Sequence, residues 1–128
     1  MMTERKRTRT DANREHDELV KAILLAICER FGTRCYCDRL RQYRGNVVTP
    51  GGVTHWASHG MNAGTFDIFV CCNGLVCWLD AKTGSARLTS DQRWFQSHIC
   101  NAGGVAEVVH SVPEALDVVG EVLARAEG

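Results

Sequence analysis

The chain has 128 residues, with 15 Lys and Arg against 15 Asp and Glu for a formal net charge of zero, and 45% of it is hydrophobic. This length suits one domain with a substantial core, and no apolar run approaches the ~20 residues of a membrane span. Neutral overall charge is silent about nucleic acid, so the placement of the basic residues matters more than their number. The seven cysteines are odd in number and no secretory apolar segment precedes them, which points to reduced thiols in a cytoplasm and against secretion.

In chain order, Arg5, Lys6, Arg7, Arg9 and Arg14 face only Glu4 and Asp11. Residues 1–12 are therefore expected to form a basic, flexible arm, with Lys6 and Arg7 available to phosphates, and residues 13–128 a single domain. From about Asn13 to Arg30, apolar side chains at Val20, Ile23, Leu24, Ile27 and Phe31 follow helical spacing, and Gly32 is a plausible stop. Cys35 to Arg39 suits a strand. A second basic run, Arg34, Arg39, Arg41 and Arg44, is the other candidate for backbone phosphates.

The stretch from Arg44 to Gly64 is glycine-rich, with a short hairpin expected around Val47-Val48 and Val53-Thr54. Phe66 to Cys72 and Leu75 to Ala81 read as two strands joined at Asn73-Gly74. Thr89 and Gln92 form a capping box for a helix that runs to about Asn101 and ends at Gly103-Gly104. Val105 to His110 is a further strand, and Ser111, Pro113 and Glu114 open a last helix. This order predicts an α/β domain with a mixed central sheet flanked by helices.

The chemistry concentrates in the central hairpin. Asp67 opens one apolar strand, and Asp80-Ala81-Lys82 closes the next. Alternation puts Asp80 and Lys82 on one face. Two converging carboxylates repel unless a cation lies between them, and a divalent metal is the usual answer. A lysine beside them is placed to stabilise charge on a phosphate or an attacking water. Carboxylates, lysine and metal together suit phosphodiester hydrolysis. From the motif alone, Gln92 would cap its helix.

Asp67, a hairpin and Asp80-Ala81-Lys82 resemble the PD-(D/E)xK nuclease signature. Gly60 to Gly64, Thr83-Gly84, Leu88 to Gln92, Ala102 to Gly104 and Val109 to Glu114 narrow the resemblance to the VRR-NUC (virus-type replication–repair nuclease) branch. Two positions depart from it: Phe66 stands where the family usually has Pro, and Asp80 where Glu is commoner. The resemblance implies a restriction-endonuclease-like core in a bacterium or bacterial host cell. It also implies Mg²⁺ or Mn²⁺ held by Asp67, Asp80 and the Ala81 carbonyl, with Lys82 and Gln92 in the catalytic site. A first-helix acid would complete the metal site. Glu15 and Glu18 compete for that part, and the helical wheel favours Glu15, with His16 on the same side as a packed or exposed residue.

Arg41, Gln42, Gly45 and Asn46 resemble a turn that the family places near DNA. By the same resemblance the substrate is DNA, in particular branched DNA such as a Holliday junction. Symmetric cutting of a junction would need a homodimer. The apolar face of the last helix, Ala115, Leu116, Val118, Val119, Val122 and Leu123, offers an interface or part of the core. The alternatives are a monomeric flap or unspecific nuclease, and a non-catalytic domain stabilised by zinc on Cys35, Cys37, His55 and His59.

Overall fold

Thr8 opens the first helix, α1 (Arg9–Phe31), through a reciprocal capping box: its hydroxyl accepts the Asp11 N–H, and the Asp11 carboxylate accepts the Thr8 N–H. The helix therefore starts before Asn13 and takes residues 9–12 out of the expected arm. In the computed structural model, residues 8–40, 43–48, 50–59 and 64–128 are described, with 43–48 and 55–59 at backbone level only. Lys6, Arg7 and Arg41 lie outside the described residues.

After α1 a single 3₁₀ turn (Gly32–Arg34) leads into β1 (Cys35–Arg39). The glycine-rich stretch forms a two-stranded antiparallel sheet, β2 (Tyr43–Val48) and β3 (Thr54–His59), with Val47 opposite His55 and Val48 opposite Thr54. The expected hairpin is thus present, longer than its few valines indicated. The central hairpin is β4 (Ile68–Cys72) and β5 (Leu75–Ala81). Both turn residues have positive φ, Asn73 at 50° and Gly74 at 93°. That combination matches the right-handed twist of paired strands and is the reason Asn-Gly turns hairpins.

From β5 the chain crosses through α2 (Ser90–Asn101) to β6 (Val105–Val109), then ends in α3 (Val112–Glu127). The main sheet has the order β1-β4-β5-β6, antiparallel except for the parallel β5–β6 pair. It is a mixed α/β fold with helices on both faces. One face carries Ile68, Val70, Cys72, Cys77, Leu79 and Ala81, which pack against Val20, Ile23 and Ile27 of α1 and Ala115, Val119, Val122 and Leu123 of α3. The other carries Trp78, whose ring meets Phe95 of α2 edge-on at 5.4 Å between centroids.

Two expectations change in this context. The apolar face of α3 is spent on the core: Ala115, Val119, Val122 and Leu123 are buried, and Leu116 and Val118 pack against them. Cys35 turns into the same core with Cys72 and Cys77, while Cys37 approaches Cys28 at 3.9 Å between sulfurs. All seven cysteines are free thiols, and burial pushes Cys77 up to about 12. Cys35 and Cys37 are thus small core-facing groups, whereas His55 and His59 belong to the separate β2–β3 sheet. The side chains of His55 and His59 lie outside the described residues.

Candidate active site

Asp67 stands at the junction of four elements. Extending the β4–β5 register, in which Ile68 faces Leu79, by one residue puts Asp67 opposite Asp80. Its carbonyl accepts the Leu40 N–H at 2.7 Å, tying it to the end of β1. Its Oδ1 accepts the Ala81 N–H at 3.3 Å, and its Oδ2 lies 2.7 Å from Nε2 of His16 on α1. The preceding residue, Phe66, is fully buried against Phe95, with ring centroids 5.1 Å apart. Phe66 thus anchors the start of β4 against α2.

The approach to Asp67 is steered by Gly64. Its φ is +85°, and a Cβ built there would lie 2.4 Å from the Asp91 carbonyl carbon and oxygen in the first turn of α2. Only glycine lets the loop pass so close to that helix. The loop and the start of α2 are thereby held together, and α2 brings Gln92 to the carboxylates.

Asp80 is the buried charged residue of the described chain, at 2% exposure. Lys82 follows on the same face, as strand alternation requires, with Nζ 3.0 Å from Asp80 Oδ2 and donating to Gln92 Oε1 at 2.9 Å. Gln92 Nε2 donates to both Asp80 oxygens, at 3.3 and 3.4 Å, while Oε1 also accepts the Thr89 N–H at 3.0 Å. Its amide orientation follows from its partners, because Oε1 faces two donors and Nε2 faces an acceptor. The capping role and the site role of Gln92 are therefore one conformation. Gln92→Ala removes the cap bond and one partner of a buried carboxylate together. Urea denaturation should show a loss of about 1–2 kcal/mol; unchanged stability would mean that water replaces both bonds.

Electrostatics reflect two acids in a confined space. Burial raises the Asp80 pKa above the usual carboxylate value, and the negative charge of Asp67 raises it further; Lys82 and His16 partly oppose this. The His16 imidazole is raised above its ordinary value by its hydrogen bond to Asp67, against the effects of burial and of nearby Arg39. His16 thus pairs with Asp67, and Lys82 with Asp80.

Glu15 and Glu18 are both exposed, and the α1 side chain that reaches Asp67 is His16. Arg39 is tied to Asp17 at 2.6 Å and its side chain is only 16% exposed, so it braces β1 against α1 rather than standing open to DNA. The backbone of Arg44 lies in β2. Among the described residues no three His, Cys, Asp or Glu side chains form a ready-made metal cage. The donor chemistry still suits a hard divalent ion: Asp67 and Asp80 stand opposite each other across the hairpin, and Asp80 is destabilised as an anion by burial and by Asp67. Mg²⁺-type sites use one or two carboxylates and complete their shell with water. Among the described residues, no helix is long and apolar enough to cross a membrane. No protein-family model and no curated protein matches the chain.

Proposed function

We propose that this chain is a metal-dependent DNA endonuclease of the PD-(D/E)xK type, with a restriction-endonuclease-like core of the VRR-NUC branch. The observation that carries the reading is the meeting of Asp67, Asp80 and Lys82 at one end of the central hairpin, clamped by Gln92. Asp67, Asp80 and the Ala81 carbonyl would hold Mg²⁺ or Mn²⁺. When bound, such an ion supplies Lewis-acid stabilisation of phosphate charge and a more acidic water. Lys82 stands where it stabilises negative charge developing on the nucleophile or phosphate. Gln92 holds Lys82 and Asp80 in register so that neither reorients during the reaction. The seven free thiols suit a reducing cytoplasm in a bacterium or bacterial host.

The substrate in this reading is branched DNA, and the active species a homodimer, because one small site cuts one strand at a time. Labelled junction, flap, duplex and single-stranded DNAs, incubated with Mg²⁺, Mn²⁺, Ca²⁺ or EDTA, test both. The expected result is paired nicking of the junction with Mg²⁺ or Mn²⁺, binding without turnover in Ca²⁺, and none in EDTA. Light scattering that shows a monomer together with flap cleavage would replace the dimeric junction nuclease by a monomeric flap nuclease. Full activity in EDTA would remove the metal from the reading.

A further inference from the structure

The corner between α1 and β1 carries two thiols that the carboxylate site does not use. Cys28 is exposed in the last turn of α1, Cys37 is half-buried in β1, and their sulfurs are 3.9 Å apart. The Cys37 thiol also donates to the Leu24 carbonyl oxygen at 3.7 Å, one turn back along the helix from Cys28. Its sulfur is thus held against a single turn of α1. The two cysteines are nine positions apart, with the 3₁₀ turn Gly32–Arg34 between them. Further along, Arg39 at the end of β1 is tied to Asp17 of α1 at 2.6 Å, so strand and helix are braced on both sides of the pair. Cys35, Cys72 and Cys77 differ in being buried in the core, out of reach of a reagent in solvent.

We propose that Cys28 and Cys37 form a reversible dithiol–disulfide site, oxidised by hydroperoxides, that staples the last turn of α1 to β1. The site is independent of the nuclease function proposed above. Cys28, open to solvent, meets the oxidant first. Its thiolate attacks one peroxide oxygen and the O–O bond breaks, which leaves Cys28 as the sulfenic acid and releases the other oxygen as water. The Cys37 sulfur then attacks the Cys28 sulfur, the S–O bond breaks, and the hydroxyl leaves as water with the Cys37 proton. Two thiols thereby give up two electrons and two protons, and hydrogen peroxide becomes two waters. Burial, and then the neighbouring Cys28 thiol, raise the Cys37 pKa above the usual thiol value, so Cys37 stays protonated until the sulfenic acid forms beside it. Disulfide sulfurs lie about 2.05 Å apart. Rotation of the exposed Cys28 side chain and give at the helix end supply the remaining approach.

Treating the whole protein with hydrogen peroxide, then unfolding and alkylating it for mass spectrometry, tests this without any cleavage assay. The expected product has five of its seven cysteines alkylated and a peptide linked through Cys28 and Cys37, and dithiothreitol should restore all seven. The oxidised protein should also unfold at a higher urea concentration than the reduced one, because the bond closes a loop in the unfolded chain. In Cys37→Ser, Cys28 should stop at the sulfenic acid, trapped by dimedone, with no linked peptide. In Cys28→Ser, loss of the Cys37 thiol should slow at least about tenfold, since a protonated, half-buried sulfur is a poor nucleophile. Wild-type protein in which Cys28 passes to the sulfinic acid while Cys37 remains alkylatable overturns the proposal. Linkage through Cys71 or Cys100 in place of the Cys28–Cys37 bond does the same, as does loss of the Cys37 thiol at the wild-type rate in Cys28→Ser. A linked protein that unfolds no later than the reduced one overturns the stapling role.

Discussion

If the chain is the proposed nuclease, Asp67→Asn, Asp80→Asn and Lys82→Ala should each cut metal-dependent cleavage sharply, and they should separate when their stabilities are measured. Each removes a charge used more in the transition state than in the ground state, so single-turnover rates should fall by at least about a hundredfold. The folding effects differ because the burial differs. Asp80 is 2% exposed and destabilised as an anion by burial and by Asp67. Replacing it with the neutral Asn removes that desolvation but leaves the Lys82 ammonium with Gln92 Oε1 as its remaining partner, so the two effects oppose each other and the loss of stability should be smaller than in Lys82→Ala. Lys82→Ala does the reverse: it takes away the ammonium 3.0 Å from Asp80 and leaves the buried carboxylate with Gln92 as its remaining side-chain partner. A loss of about 1–3 kcal/mol follows from leaving that buried carboxylate short of a partner. Urea denaturation of the three variants beside the cleavage rates checks both halves. Wild-type rates in any of them would sink the site assignment, and equal stability of Lys82→Ala and Asp80→Asn would mean that Lys82 does not offset the burial of Asp80.

Gly64→Ala destabilises the protein far more than Gly52→Ala, although the two glycines share almost the same backbone conformation. Their φ angles are +85° and +80°. The left-handed backbone alone costs an alanine about 1 kcal/mol. At Gly52 nothing lies within 4 Å of the added carbon, so that should be the whole effect. At Gly64 the carbon meets the Asp91 backbone at 2.4 Å, and neither that carbonyl nor the capped first turn of α2 can move freely. The total should reach about 2–4 kcal/mol. The displaced loop carries Phe66 and Asp67, so cleavage should weaken along with stability. Equal losses at the two positions would show that the loop does not press on α2 as described.

Local patterns told much of this in advance. Alternation in Phe66 to Cys72 and Leu75 to Ala81, with Asn73-Gly74 between, defines the hairpin, because strand period and turn chemistry act over a few residues. The same alternation puts Asp80 and Lys82 on one face, and their 3.0 Å contact follows. The start of α1 was legible in principle: Thr8 and Asp11 form a capping box with Asp in the place usually given to Glu or Gln.

What a helical wheel cannot contain is where the helix lies on the sheet. Glu15 and His16 are 100° apart on α1, and both fall near the inward side. The rotation and offset of the whole helix, set by Val20, Ile23 and Ile27 against the sheet, send His16 to Asp67 and leave Glu15 exposed. The same holds for Arg39, whose partner Asp17 is 22 residues away, and for the α3 face, which becomes core only because the sheet is there to cover it. By itself, then, the sequence determined the elements, the turn and the shared face of Asp80 and Lys82, all products of neighbours within a few residues. The tertiary structure decided which side chains from distant elements meet at Asp67, because that depends on how packed helices register against the sheet.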